Sequence, residues 1–191
     1  NGKNIDVIGE DRETTIIDGN QSDTVIKFKN GETLDAVLSD FTITNGKSIC
    51  TDADIDEDGG CFYDKGGGIL IRQSSPTLNN LIIINNLGNR GAGIFIGSYY
   101  YPSDIEENDG SDCLSNPILN NIILSSNSHF LPNGEDSYNS AGGGILCKHC
   151  NMILNNVLIT NNTSQNGSGI WIGETSAGRP NSNVQLENCT V

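Results

Sequence analysis

From Gly66 the chain reads GGGILI, and its apolar residues alternate in direction: Ile69 and Ile71 fall on one side of an extended backbone, Leu70 on the other. The same period of two returns with Ile94 and Ile96 around Phe95, Ile145 and Cys147 around Leu146, and Ile170 and Ile172 around Trp171. Such runs are too short for helices, so the pattern predicts short β-strands. No helical period lies between them, which argues against a βαβ arrangement.

The strands recur at a fixed spacing. GGGI begins at Gly66, GAGI at Gly91, GGGI at Gly142 and GSGI at Gly167, at intervals of 25, 51 and 25 residues. A second motif follows each of them: LNNLII from Leu78, LNNIIL from Leu119, LNNVLI from Leu154 and LENCTV from Leu186, with an earlier LSDFTI from Leu38. Short strands on a 25-residue cycle are accommodated by stacked coils, each laying its strands in parallel over those of the coil below at about 4.8 Å per rung.

Stacking turns the sequence into columns. Ile26, Ile69, Ile94, Ile145 and Ile170 form one inward column, with Phe28, Ile71, Ile96, Cys147 and Ile172 beside it; Leu38, Leu78, Leu119, Leu154 and Leu186 form another. Near the leucines stand Asp40, Asn80, Asn121, Asn156 and Asn188, one per coil, where short side chains can hydrogen-bond along the stack and to the bending backbone.

The coil length, this Asn column and the opening stretch IDVIGEDRETTIIDGN resemble the right-handed parallel β-helix superfamily that includes pectate lyases and pectin methylesterases. The GGGI repeats also resemble the polymorphic outer-membrane and secreted adhesin-type β-helices of bacteria. The expectation is therefore an all-β fold: a right-handed parallel β-helix (solenoid) of about six coils with loop insertions, one domain over residues 1–191. The chain stops at VQLENCTV, inside an apolar strand pattern, so it reads as an excerpt of a longer protein.

Four insertions interrupt the cycle. Residues 47–65 and 128–141 precede a GGGI strand, while 98–115 and 174–182 follow a GxGI strand; Gly66 to Gly142 and Gly91 to Gly167 both span 76 residues, so the higher unit is two coils. Loops then flank one face, whose outward column is Lys27, Leu70, Phe95, Leu146 and Trp171. Either the loops fold down over these side chains, or the column floors a groove. In a groove, Trp171, Phe95 and the tyrosines Tyr99, Tyr100 and Tyr101 would stack on the sugar rings of an extended glycan, or the face would meet a protein partner.

In the first insertion, Asp54, Asp56 and Asp58 followed by Gly59 have the spacing of a calcium loop, with Asp52 or Asp64 available to complete the shell. Lys65 occupies the position where a bidentate Glu would close such a loop, so a solvated acidic loop is the competing reading. Asp104, Glu106, Asp109 and Asp112 in the second insertion are less regularly spaced and read as solvated. Cys50 and Cys61 flank the acidic stretch and would close it as a disulfide. Cys113 and Cys150 fall near one corner a coil apart and would make a cross-rung bridge, whereas Cys147 and Cys189 sit in inward columns as buried thiols. The CKHC run lacks a second ligand pair for zinc, His129 being the other histidine.

Composition narrows the partners. A net charge of −14, from 24 acidic residues against 10 Lys and Arg, argues against nucleic acid and anionic membranes and favours cations, calcium above all. No apolar run is long enough for membrane insertion. Six cysteines and sequons at Asn20, Asn161, Asn162, Asn166 and Asn188 favour a secreted or cell-surface setting.

A polysaccharide lyase of the resembled superfamily would need an Arg or Lys base beside carboxylates that hold calcium. Lys29, Arg72 and Lys148 share one column position at the edge of the groove face, with His149 adjacent, but the intervening coils place Gly97 and Gly173 there and no aspartate pair stands on those strands. The leading expectation is thus a non-catalytic module with a structural or adhesive role in an extracellular fibre or matrix, calcium-stabilised, meeting glycans or copies of itself. The alternatives are a polysaccharide-binding module and a lyase acting through Arg72 or Lys148.

Overall fold

The computed structural model describes residues 2–48, 66–97, 115–129, 141–173 and 182–191. Among them there is no helix, and the strands form three main parallel sheets that the chain visits in rotation. The first sheet contains β1 (Asp6–Ile8), β4 (Val37–Ser39), β8 (Thr77–Asn79), β12 (Ile118–Asn120), β15 (Asn151–Asn155) and β18 (Asn183–Glu187), in that spatial order. The second contains β2 (Ile16–Asp18), β5 (Thr42–Thr44), β9 (Ile82–Ile84), β13 (Ile123–Ser125) and β16 (Leu158–Thr160). The third contains β3 (Ile26–Phe28), β7 (Ile69–Ile71), β11 (Ile94–Gly97), β14 (Ile145–Lys148) and β17 (Ile170–Gly173). A short pair, β6 (Lys47–Ser48) and β10 (Leu87–Gly88), bridges the second sheet to the third. Each strand therefore pairs in parallel with its counterpart from the next cycle of the repeat, as stacking of the repeat requires.

The motif LNNLII can now be read letter by letter. Leu78 enters the core and Asn79 leaves it; Asn80 turns the corner; Leu81 enters, Ile82 leaves, Ile83 enters and Ile84 leaves. The turn needs a left-handed residue, and Asp40, Asn80, Asn121, Asn156 and Asn188 all have φ between 50° and 65°. Asn and Asp tolerate that region better than other side chains. Registers keep like with like: Leu119 lies between Leu78 and Leu154, and Leu124 between Ile83 and Ile159. The central core joins these residues to Ile69, Ile71, Ile94, Ile96, Ile145 and Cys147 of the third sheet. Removing each such aliphatic side chain from water stabilises the fold by about 1.5–3 kcal/mol.

Several expected boundaries shift, Ser115 and Ala141 also being bridged to neighbouring cycles. Lys47 and Ser48 belong to β6, and Ser128 bridges Leu87 on one side and Thr163 on the other. The first and third interruptions therefore begin later than the repeat alone indicates, because the chain makes one more rung of parallel pairing before leaving the stack.

At the two edges of the first sheet the core column opens. Val7 is 42% exposed and Leu186 54%, against 0% for Leu78, Leu119 and Leu154 between them.

Candidate functional site

The third sheet and the corners that flank it hold most of the residues singled out from the sequence. Its outward column is in register as expected: Lys27 beside Leu70, Leu70 beside Phe95, Phe95 beside Leu146, Leu146 beside Trp171. An open face is not what the fold presents. Leu70, Phe95 and Leu146 are buried, Phe95 completely, and with Ala141 they form a second apolar cluster against which Trp171 packs half-buried. Of the two readings of this face, burial at these three positions matches covered side chains, and a wholly covered ring offers no face for a sugar to stack on. Lys27 is exposed and bound to Asp23. Of the expected ligand-binding positions among the described residues, only Trp171 is not buried.

The row beside this column alternates cation and glycine. Lys148 pairs with Gly97 on one side and Gly173 on the other. Gly97 has φ 122°, and a Cβ there would stand 1.7 Å from the Lys148 carbonyl oxygen; a Cβ on Gly173 would meet the Trp171 ring at 2.3 Å. Backbone approach and positive φ require glycine at Gly97, whereas at Gly173 a side chain would have to displace the Trp171 ring. Arg72 and Lys148 are half-buried, and among the described residues no three His, Cys, Asp or Glu side chains gather as a metal-binding group.

At the corner leading from the third sheet back to the first, two equivalent turns differ in chemistry. Gln73 and His149 both adopt left-handed φ, 51° and 54°. In the later turn Cys147 and Cys150 form a disulfide across it, with Cα atoms 5.8 Å apart, and both are fully buried. Cys150 thus takes Cys147 rather than Cys113, and Cys147 is not a thiol: three residues that close a left-handed turn bring the two side chains to one side. Cys189 is a free cysteine and only half-buried.

In the earlier turn the place of Cys150 is taken by buried Ser74, whose Oγ donates to Glu32 Oε2 at 2.7 Å. Burial acts to raise the Glu32 pKa, but the Asn30 backbone N–H, the Ser74 hydroxyl and the Asn30 amide together hold it below its ordinary value. Glu32, Ser74, Ser75, Thr33, Leu34 and Asn116 line a shallow cleft of about 390 Å3.

The corner between the second sheet and the third carries a feature that the sequence reading missed. Asn86, Asn127 and Asn162 point inward and form a buried ladder: Asn86 Nδ2 donates to Asn127 Oδ1, and Asn127 Nδ2 to Asn162 Oδ1, each at 3.0 Å. The same amides donate to the Ile43, Ile83 and Leu124 carbonyls at 2.8–3.1 Å, and their oxygens accept the Gly46, Asn86 and Asn127 backbone N–H groups. The glycine just before the Ile in the first three GxGI motifs makes room for it. A Cβ on Gly68, Gly93 or Gly144 would come within 3.0–3.3 Å of an amide nitrogen of Asn86, Asn127 or Asn162. The signal was the Asn that closes each motif, as in LIIINN and LITNN.

A partly exposed ladder, Asn79–Asn120–Asn155, runs at 2.8 Å per bond outside the first corner. Beside it Asn80 Nδ2 donates to Asp40 and Asn156 Nδ2 to Asn121. Hydrogen bonds from the Ser39 hydroxyl and then the Asn80 amide, with the Arg12 guanidinium nearby, hold the Asp40 carboxyl below its ordinary 3.8.

Asp52, Asp54, Asp56, Asp58 and Asp64, the tyrosines Tyr99, Tyr100 and Tyr101, the acidic stretch from Asp104 to Asp112, and Cys50, Cys61 and Cys113 lie outside the described residues. Comparison with protein-family models, curated proteins and solved structures gives no match.

Proposed function

We propose that the chain is a non-catalytic, secreted or cell-surface module with a structural or adhesive role, a right-handed parallel β-helix of about six coils of the pectate-lyase-like kind. The observation that carries this reading is the buried, fully bonded Asn86–Asn127–Asn162 ladder, which ties successive cycles together through backbone and side chain at once. Such networks favour a single rigid arrangement. Five steps between the six strands of the first sheet give a wall about 24 Å long. Exposed apolar strands at both edges, with Val7 on one and Leu186 on the other, suit the addition of further coils or of another copy. Calcium bound by the aspartates between Asp52 and Asp64 stiffens the loop they lie in. Extracellular glycans and copies of the chain are the partners on this reading.

The test combines turnover with binding. Incubation with uronate polymers in the presence of calcium yields no unsaturated product, while surfaces coated with extracellular polysaccharide retain the protein. Unsaturated product that disappears in Arg72→Ala or Lys148→Ala would replace this reading with a lyase. A glycan-binding role at the third sheet is favoured by one observation, the half-buried Trp171 ring lying over Gly173 at the end of a closed column. On that reading Trp171→Ala abolishes retention; unchanged retention removes it.

A further inference from the structure

Residues 161–164 read NNTS, so two sequons overlap: Asn161 with Thr163, and Asn162 with Ser164. Sequence favours Asn161 only by its Thr over the Ser of the second sequon. Their environments differ sharply.

Asn162 is buried. Its Nδ2, the atom a glycan would be attached to, donates to the Leu124 carbonyl at 3.0 Å, and its Oδ1 accepts both the Asn127 backbone N–H and Asn127 Nδ2. Gly144 packs within 3.3 Å of that nitrogen, measured from where a Cβ would stand. A sugar there would remove the amide from the ladder and push apart two coils.

Asn161 occupies the left-handed position just before it, φ 55°, in line with Asn45, Asn85 and Ser126 at 55°, 55° and 56°. That conformation turns the residue outward. It is exposed, and its side-chain amide has no hydrogen bond among the described residues. Asn20 of the sequon NQS lies at the same corner of the first cycle, also left-handed at 48° and exposed, with only its backbone N–H engaged, by Asp18.

We propose that Asn161 and Asn20 are N-glycan acceptors and that Asn162, despite an intact sequon, is unmodified in the folded protein. In the transfer, Nδ2 forms a bond to the anomeric carbon of a lipid-pyrophosphate-linked oligosaccharide. The bond from that carbon to the pyrophosphate oxygen breaks, and the lipid pyrophosphate leaves as the amide gives up one proton. The glycans then stand along the second corner. The proposal rests on the secreted reading for its compartment but makes its own claim about which amides accept.

The test is site-resolved glycopeptide mass spectrometry on the chain secreted by a eukaryotic host, with enzymatic deglycosylation in heavy-oxygen water to mark each formerly occupied Asn. The expected label falls on Asn161 and Asn20 and is missing from Asn162. Two variants separate sequon from fold, since neither touches the ladder amides. Thr163→Val loses the label at residue 161 without gaining one at 162, while Ser164→Ala leaves labelling unchanged. Label on Asn162 in folded protein, or bare Asn161, overturns the proposal. The secreted reading fails by a different result: protein in its own cells held in a reducing compartment, with Cys147 and Cys150 as thiols.

Discussion

In the second sheet Ile83 and Leu124 are sealed in the core, while Ile82, Ile84 and Ile123 on the other face keep part of their surface. In the third, Ile94 and Ile96 are equally sealed, and so is Phe95 between them. Strand length and parallel register are nearly the same in both, so strand geometry does not account for the difference. The outward letters differ as well: half-buried aliphatics and hydroxyls in one, a covered Leu70–Phe95–Leu146 run ending at half-buried Trp171 in the other. A β-sheet with one wet face holds its strands by the core alone; a sheet with two dry faces is anchored twice, and its outer layer is packing before it is a surface.

That contrast is most easily broken at Phe95. Phe95→Ala removes a wholly buried ring and lowers the unfolding free energy by about 3–5 kcal/mol, whereas Ile123→Ala on the outer face of the second sheet costs less than about 1.5 kcal/mol. Denaturant midpoints at constant slope measure both. Equal costs would mean that the outward faces are equivalent.

The two Asn ladders provide the next comparison. Asn127→Ala strands the Asn86 N–H groups and the Ile83 carbonyl without water, a loss of about 3 kcal/mol, while Asn120→Ala outside the first corner leaves its partners hydrated and costs about 1 kcal/mol. The same midpoints read the difference. Smaller still is the Cys147–Cys150 bridge, which closes a very short loop: reduction, or replacement of both by Ser, lowers stability by about 2 kcal/mol. The Ser74 turn, unbridged, is unaffected by reductant.

Acid should act at the carboxylates of the first and second corners rather than at the buried amide ladder. A carboxyl whose folded-state pKa is depressed contributes stability that is complete above its ordinary value and is lost as pH falls through the lower folded value. Asp40 is in this position, and so is Asp18, held low by the Asn20 N–H and the Asn45 amide. Thermal midpoints therefore fall as pH drops below about 3.8, and Asp40→Asn flattens that slope. The buried Asn86 ladder has nothing to titrate and confers no pH dependence.

Much of the stack was legible because its period is short and its letters repeat. The Leu78 and Ile83 columns and the left-handed Asn80 corner follow from the spacing of apolar and amide residues alone. What escaped was any feature in which one letter serves two neighbours. Asn86 looks like a loop residue beside Asn85, and only the gap left by Gly68 shows that it turns inward. Cys147 reads as an inward apolar letter, yet the left-handed His149 brings Cys150 to it. Phe95 reads as outward, which it is, but alternation says nothing about what lies over an outward face.

Whether that face is closed can be measured without altering the chain. Hydroxyl-radical footprinting of the native protein, read residue by residue in the mass spectrometer, compares Leu70, Phe95 and Leu146 with Ile123 and the exposed Leu158. A closed third sheet predicts that Phe95, intrinsically among the more reactive side chains, is oxidised far more slowly than in the unfolded chain and more slowly than Leu158. Oxidation of Phe95 and Leu146 at their unfolded-chain rates would contradict the account and reopen the face as a groove.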